Sequence, residues 1–181
     1  HYPSPVVTSA ALAGRTKRIS IRAGSVVLPL HHPVRVAEDW AMIDNLSNGR
    51  VGFSIASGWH ARDFVLMPGA HETRKARMME MLPVLRSLWR GEEVVFSNGT
   101  EEFPVRIRPR PVQTEIPIWL TAAGNPESFI EAGTHQLNLL SFLALTSPEA
   151  LSEKIEAYVN AFAANERPGS PAKPHVSVMV H

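Results

Sequence analysis

SVVLPLHHPVRVAEDWAMIDNLSNGRVGFSIASGWHARDF, residues 25–64, holds most of one strand–helix–strand unit. The strand begins upstream: Ile19 to Leu28 (ISIRAGSVVL) is β-branched and apolar, which predicts a strand buried on both faces, as parallel sheets require. Pro29 closes it. Pro33 suits a first helical position, where its missing N–H leaves no bond unmade. Val36, Ala37, Trp40, Ala41 and Ile43 then make one apolar stripe at helical spacing. The stripe stops at Asn48-Gly49, where glycine can adopt the left-handed cap conformation. Val51 to Ala56 (VGFSIA) reads as the next strand, and it leads into Ser57-Gly58-Trp59-His60.

The same alternation extends in both directions. Val6 to Ala13 predicts a helix that ends near Gly14. Met78, Met81, Leu82, Leu85, Leu88 and Trp89 mark an amphipathic helix ending at Gly91, with a kink expected at Pro83. Val94 to Ile107 predicts a hairpin around Asn98-Gly99, a strong turn signal. Ile118 to Thr121, Leu137 to Ser141 and Val176 to Val180 are further short strands. Asn125-Pro126-Glu127 reads as an N-cap, a first-turn proline and an acid favoured by the helix dipole. Ser147-Pro148-Glu149 opens a last helix, with Leu151, Ile155, Tyr158, Val159 and Phe162 on one face. Alternating strands and helices predict an α/β fold with a parallel sheet, in one domain over residues 1–181. A doubly wound sheet and part of a (β/α)8 barrel both fit. The chain has no GxGxxG or GxxxxGK[ST] after its first strand, which weakens the nucleotide-binding versions of the former. A complete barrel takes about 250 residues, so the barrel reading requires βα units beyond these.

Composition narrows the function. The 181 residues are 44% hydrophobic and 19% charged, with a formal net charge of +1, the mixture of an ordinary globular domain. The basic residues form no nucleic-acid footprint and no polybasic membrane patch. The chain contains no cysteine, which rules out disulfides, thiolate metal sites and a cysteine nucleophile within it. No apolar stretch reaches the ~20 residues of a membrane span, and the N-terminus shows no signal-peptide pattern. A cytoplasmic enzyme is expected. His31-His32 precede a helix with no third ligand at metal spacing, so no metal site is predicted.

The opening stretch resembles the bacterial luciferase-like, flavin-dependent monooxygenases. That family carries a strand ending in VLP, then HPVRxAED, a DxLSxGR turn and a second strand leading to a glycine loop. ASGW at Ala56 to Trp59 and TAAGNPE at Thr121 to Glu127 resemble most closely a subgroup associated with polyketide and nonribosomal peptide assembly lines. The resemblance covers nearly the whole chain. It implies a TIM (β/α)8 barrel of the luciferase-like type, present here as a partial barrel lacking the first two strands and the last. A piece of this kind, expressed alone, is expected to aggregate or oligomerise through open strand edges. Within the motif, Pro33, Glu38, Asp39, Asn48 and Gly49 have ordinary jobs at helix ends. Arg35 and Arg50 are expected to pair with carboxylates such as Glu38, Asp39 or Asp44.

The resemblance also implies a cofactor and a site. Reduced FMN, delivered by a separate flavin reductase, would be used with O2 to oxygenate an organic substrate. That substrate would be a small molecule, or one tethered to a carrier protein, and the enzyme could be a homodimer. Active sites of such barrels lie at the C-terminal strand ends. The expected FMN-binding residues are therefore Gly24, Ser25, Ser57, Gly58, Trp59, Thr121, Ala122, Ala123, Gly124 and Asn125. Gly24-Ser25 would lie against the isoalloxazine, often with a non-prolyl cis bond in the family, although small residues there could simply relieve crowding. Ala122 to Glu127 is the expected phosphate site, since a helix N-terminus favours an anion; Asn125 could equally be a plain N-cap. Ser57 stands where luciferases place an arginine on the phosphate, so charge would have to come from Arg62 or from elsewhere. Ala56 occupies the position of the luciferase reactive cysteine. Trp59 either walls the cavity or fills interior space. His60 is the one candidate acid–base group, with a loop histidine as its ordinary alternative. Two other readings remain open: a non-catalytic flavin-binding barrel remnant, and a deazaflavin-dependent oxidoreductase.

Overall fold

The computed structural model describes residues 4–166 and 173–180. These divide into two compact units. The first comprises the chain up to Phe53 together with Ser57–Ile116, and the second Ser54–Ala56 together with the chain from Pro117.

In the first unit, helix α1 (Pro5–Arg15) leads to strand β1 (Ile21–Val27), helix α2 (Pro33–Ser47) and strand β2 (Val51–Ala56), which lies beside β1. Pro33 takes the first helical position as its sequence context requires, but the cap is a histidine: His32 Nδ1 accepts from the Val34 N–H at 3.3 Å. At the other end Asn48, not Gly49, is the left-handed cap (φ 54), and Gly49 follows with φ 78. The predicted stripe is the core. Ala37, Trp40 and Ala41 are wholly buried, and the Trp40 ring lies 4.7 Å from Phe53.

Helix α3 (Arg74–Arg90) runs unbroken through Pro83 to a left-handed cap at Gly91. Strands β3 (Val94–Ser97) and β4 (Glu102–Val105) form the predicted antiparallel hairpin, Ser97 facing Glu102. Its loop has four residues, because the Asn98 Oδ1 accepts from the Thr100 and Glu101 N–H groups and so holds a wider turn.

Arg50 corrects one expectation. It pairs with no carboxylate among the described residues. Its guanidinium donates to the carbonyls of Ser47 (2.7 Å), Ile19 (2.6 Å), Thr16 (2.8 Å) and Ala13 (3.4 Å) and to the Thr16 hydroxyl (3.1 Å). A planar fork of five donors can satisfy the ends of α1, α2 and the entry to β1 together, which an ammonium cannot. Arg50→Lys is therefore expected to lower stability by about 1–2 kcal/mol, read as a lower urea midpoint at unchanged slope. Arg35 does meet Glu38, at 3.7 Å on the surface.

In the second unit, the end of β2 is followed in the sheet by β5 (Ile118–Thr121), β6 (Asn138–Phe142) and β7 (Val176–Met179). The β5–β6 and β6–β7 pairs are parallel, with Leu120 opposite Leu139 and Leu140 opposite Ser177. Helices α4 (Pro126–Thr134) and α5 (Pro148–Ala164) cross over between them, as parallel strands require. Tyr158 ties α5 to two strand starts: its hydroxyl donates to the Leu137 carbonyl (3.0 Å) and accepts from the His175 N–H (3.2 Å). Burial pushes that phenol above its ordinary pKa, although the bond from His175 opposes the rise.

Candidate functional site

The predicted site residues of the first unit lie within β1, at Gly24 and Ser25, and in the loop that follows β2, at Ser57 to His60. The Gly24–Ser25 peptide bond is cis, the non-prolyl bond that the resemblance implied. Ser25 and Val27 are two apart on β1 and so share a face. Val27 reaches the loop after β2: a Cβ placed on Gly58 would lie 2.7 Å from Val27 Cγ1 and 3.1 Å from the Phe64 ring. Gly58 also has φ +84. The loop can therefore pass this close to β1 only with glycine at that position.

Trp59 is 82% exposed and fills no interior space, which removes one of its two readings. Its ring lies against that of His60, centroids 3.9 Å apart and planes tilted by 37°. His60 is exposed, and its carbonyl accepts from the Asp63 N–H as the following 3-10 turn (Ala61–Leu66) begins. Arg62, proposed from sequence to supply charge, is exposed on that same turn.

The more informative charges come later in the chain, and the sequence reading passed over them. The Phe64 ring that packs under Gly58 meets His71 edge-on at 5.0 Å. Arg74 donates to the His71 carbonyl at 2.7 Å, and Arg77 follows one turn later on the same side of α3. Arg74 Nε, Arg77 Nε and His71 Nε2 are buried, with no hydrogen-bond partner among the described residues. The start of α3 adds to the imbalance. Its first turn carries no acid, and the Thr73 side chain makes no capping bond. Cations at the positive end of a helix are the reverse of what the dipole favours. Buried N–H groups without acceptors are also costly. A bound anion would satisfy both. The sequence signal was available in Thr73-Arg74-Lys75-Ala76-Arg77, a helix start with bases where acids usually stand.

In the second unit, Thr121 ends β5 and its hydroxyl bonds that of Ser54, near the end of β2. Ala122 is buried, and its N–H donates to the Leu140 carbonyl at 2.9 Å. Ala123 is half-buried and Gly124 exposed. Asn125 caps α4: its Oδ1 accepts from the Glu127 N–H (3.1 Å), and its amide donates to the Glu127 carboxylate (3.4 Å). That uses one of the amide donors expected for a phosphate and places a carboxylate beside the rest. Among the described residues no group of three His, Asp or Glu side chains could hold a metal ion. No described helix is long and apolar enough to cross a membrane.

The pattern of the luciferase-like monooxygenases matches residues 1–181. The chain belongs to that family. Among luciferase-like proteins it is 35% identical over 132 residues to the oxygenase component of flavin-dependent trigonelline monooxygenase from Acinetobacter baylyi, covering 70% of this chain and 36% of that protein. It is 31% identical over 156 residues to limonene 1,2-monooxygenase from Rhodococcus erythropolis, covering 84% of this chain and 39% of that enzyme. The crystal structure of monooxygenase RslO1 from Streptomyces bottropensis superposes with a TM-score of 0.83 at 26% identity, over 98% of this chain and 56% of that one. The fold is thus part of the luciferase-like barrel, and the chain spans less than two thirds of each of these relatives.

Proposed function

We propose that the protein is an FMN-dependent monooxygenase that uses reduced FMN and O2 to oxygenate an organic substrate, and that this chain supplies much of its flavin-binding surface. The observation that carries the reading is the set of buried nitrogens on His71, Arg74 and Arg77 that have no partner among the described residues, next to the glycine loop of a luciferase-like chain. Bound reduced flavin would supply the electrons for oxygen activation; the protein's part is to bind, orient and shield.

Each element has a task. Arg74 and Arg77, with His71, would hold the flavin phosphate and provide the charge that Ser57 lacks. Gly24, Ser25, Ser57 and Gly58 would let the backbone come close to the ring system, with Trp59 lining the approach to it. Thr121, Ala122, Ala123, Gly124 and Asn125 would contribute the β5 end. His60, exposed against Trp59, is the candidate for moving a proton to or from the substrate. A separate flavin reductase is part of the proposal, supported by the naming of the trigonelline relative as an oxygenase component. The substrate is proposed as a small organic molecule, free or carrier-bound, and the assembly as a homodimer.

The test is a titration of the full-length protein with FMN and riboflavin, each oxidised and reduced. Arg74→Ala is expected to weaken FMN binding about 10–100-fold, the loss of one charge-assisted bond to phosphate. Riboflavin, which lacks the phosphate, should bind the two proteins alike. Equal loss for both flavins would remove the phosphate assignment. Binding of a deazaflavin in preference to either would replace FMN with that cofactor.

A further inference from the structure

Ser54 does not match its strand. It is 2% exposed, between wholly buried Phe53 and Ile55, where an unpaired hydroxyl is costly and an alanine is not. The hydroxyl is paired, with that of Thr121. Thr121 is the last residue of β5, immediately before the Ala122–Gly124 loop. One level below it, Leu120 and Leu139 are register partners and both buried. At its own level, Thr121 and Leu140 are register partners and both partly open. Thr121 therefore stands where the strand end meets accessible space.

A threonine carries a hydroxyl and a methyl on one Cβ, and rotation about χ1 exchanges their positions. Once Oγ1 is bonded to Ser54, the position of the methyl is set as well. We infer that Ser54 is a positioning residue for flavin binding: by holding the Thr121 hydroxyl it makes the Thr121 methyl the group that the β5 end presents to the flavin ring. A hydroxyl in that place would compete for the polar edge of the ring. The inference rests on the FMN reading given above, with Thr121 among the ring contacts.

Valine offers a direct test, because both of its branches are methyls and its rotamer no longer matters. FMN titrations and visible circular dichroism of the bound flavin would be measured on full-length wild type, S54A, T121S and S54A/T121V. Ser54→Ala is expected to weaken FMN binding about 3–10-fold and to alter the flavin dichroism. The double variant should return both to near the wild-type values. Thr121→Ser keeps the hydroxyl pair and deletes the methyl, so it should weaken binding without destabilising the fold; it stands in if S54A proves too unstable to purify. Wild-type affinity and dichroism in S54A or T121S would overturn the inference while leaving the flavin reading intact, and so would a double variant no better than S54A. Absence of FMN binding by the wild type would overturn the flavin reading itself and this inference with it.

Discussion

Asp44→Ala is expected to cost about 3–5 kcal/mol, because three N–H donors would lose a charged acceptor at about 1–3 kcal/mol each. Asp44 is wholly buried on α2, and its carboxylate organises a segment nearly seventy residues away. Oδ2 accepts from the N–H groups of Val112 and Gln113, both at 2.8 Å, and Oδ1 accepts from Gln113 Nε2 at 2.6 Å. Gln113 passes the constraint on. Its amide donates to the Val51 carbonyl at 2.9 Å where β2 starts, and its own carbonyl accepts from the Trp89 indole at 2.9 Å. Neighbouring Asn45 donates to the Arg110 carbonyl at 2.8 Å. Alanine would leave three N–H donors of this core facing a gap. At roughly 2–4 °C per kcal/mol for a chain of this size, the melting temperature should fall by about 6–20 °C. Asp44→Asn keeps the shape but can turn an N–H only toward other donors, so it should recover less than half of the loss. Thermal and urea unfolding of the full-length protein would measure both. An alanine variant within about 1 kcal/mol of wild type would mean that the 110–113 segment is held by something other than Asp44.

Gly133→Ala is expected to destabilise the second unit by about 2–3 kcal/mol, for a different reason. Near the end of α4, Gly133 is buried against α5. A Cβ there would lie 2.5 Å from the Tyr158 carbonyl oxygen, 2.7 Å from the Phe162 nitrogen and 2.8 Å from Ala161 Cβ. Two of those three neighbours are backbone atoms of a hydrogen-bonded helix, which cannot turn aside as a side-chain end can. The helices would have to separate, and the Tyr158 hydroxyl would be drawn from its bonds to Leu137 and His175. Gly14→Ala is the control: that glycine sits within α1 with nothing in reach of a Cβ, and the change should be neutral or stabilising by up to about 1 kcal/mol. Chemical unfolding with near-ultraviolet circular dichroism would separate the two. Equal stability of both variants would mean that α4 and α5 approach less closely than described.

Much of the fold was readable because its signals are local. Pro33, Asn48-Gly49 and Asn125-Pro126 mark helix ends through their own dihedral preferences, and the stripe through Trp40 announces a buried face from spacing alone. The short β-branched runs gave their strands within a few residues: Ile19 to Leu28 shortened to Ile21–Val27, and Val176 to Val180 to Val176–Met179. The family followed from the same stretch, since its motif residues are mostly those that shape strand and helix ends.

The site was less legible. Ser57 and Gly58 follow the end of β2, and the Gly24–Ser25 bond, inside β1, is cis as the resemblance implied. Arg74 and Arg77 did not declare themselves, because on a helix an arginine is ordinarily a solvated side chain. Their meaning depends on burial and on missing partners, and neither is a property of sequence. Arg50 shows the same limit, since opposite charges nearby in sequence suggested a salt bridge and five acceptors from the ends of α1 and α2 and the entry to β1 took its place.

By itself, then, the sequence determined the order of strands and helices, where most of them stop, and the luciferase-like family, because these depend on backbone preferences and periodicities within about fifteen residues. Only the tertiary structure decided that Asp44 reaches the 110–113 segment, that Ser54 pairs with Thr121, and that His71, Arg74 and Arg77 keep buried nitrogens without partners among the described residues. Those facts join residues far apart in the chain, and a hydrogen bond depends on distance and direction in space, which local pattern does not encode.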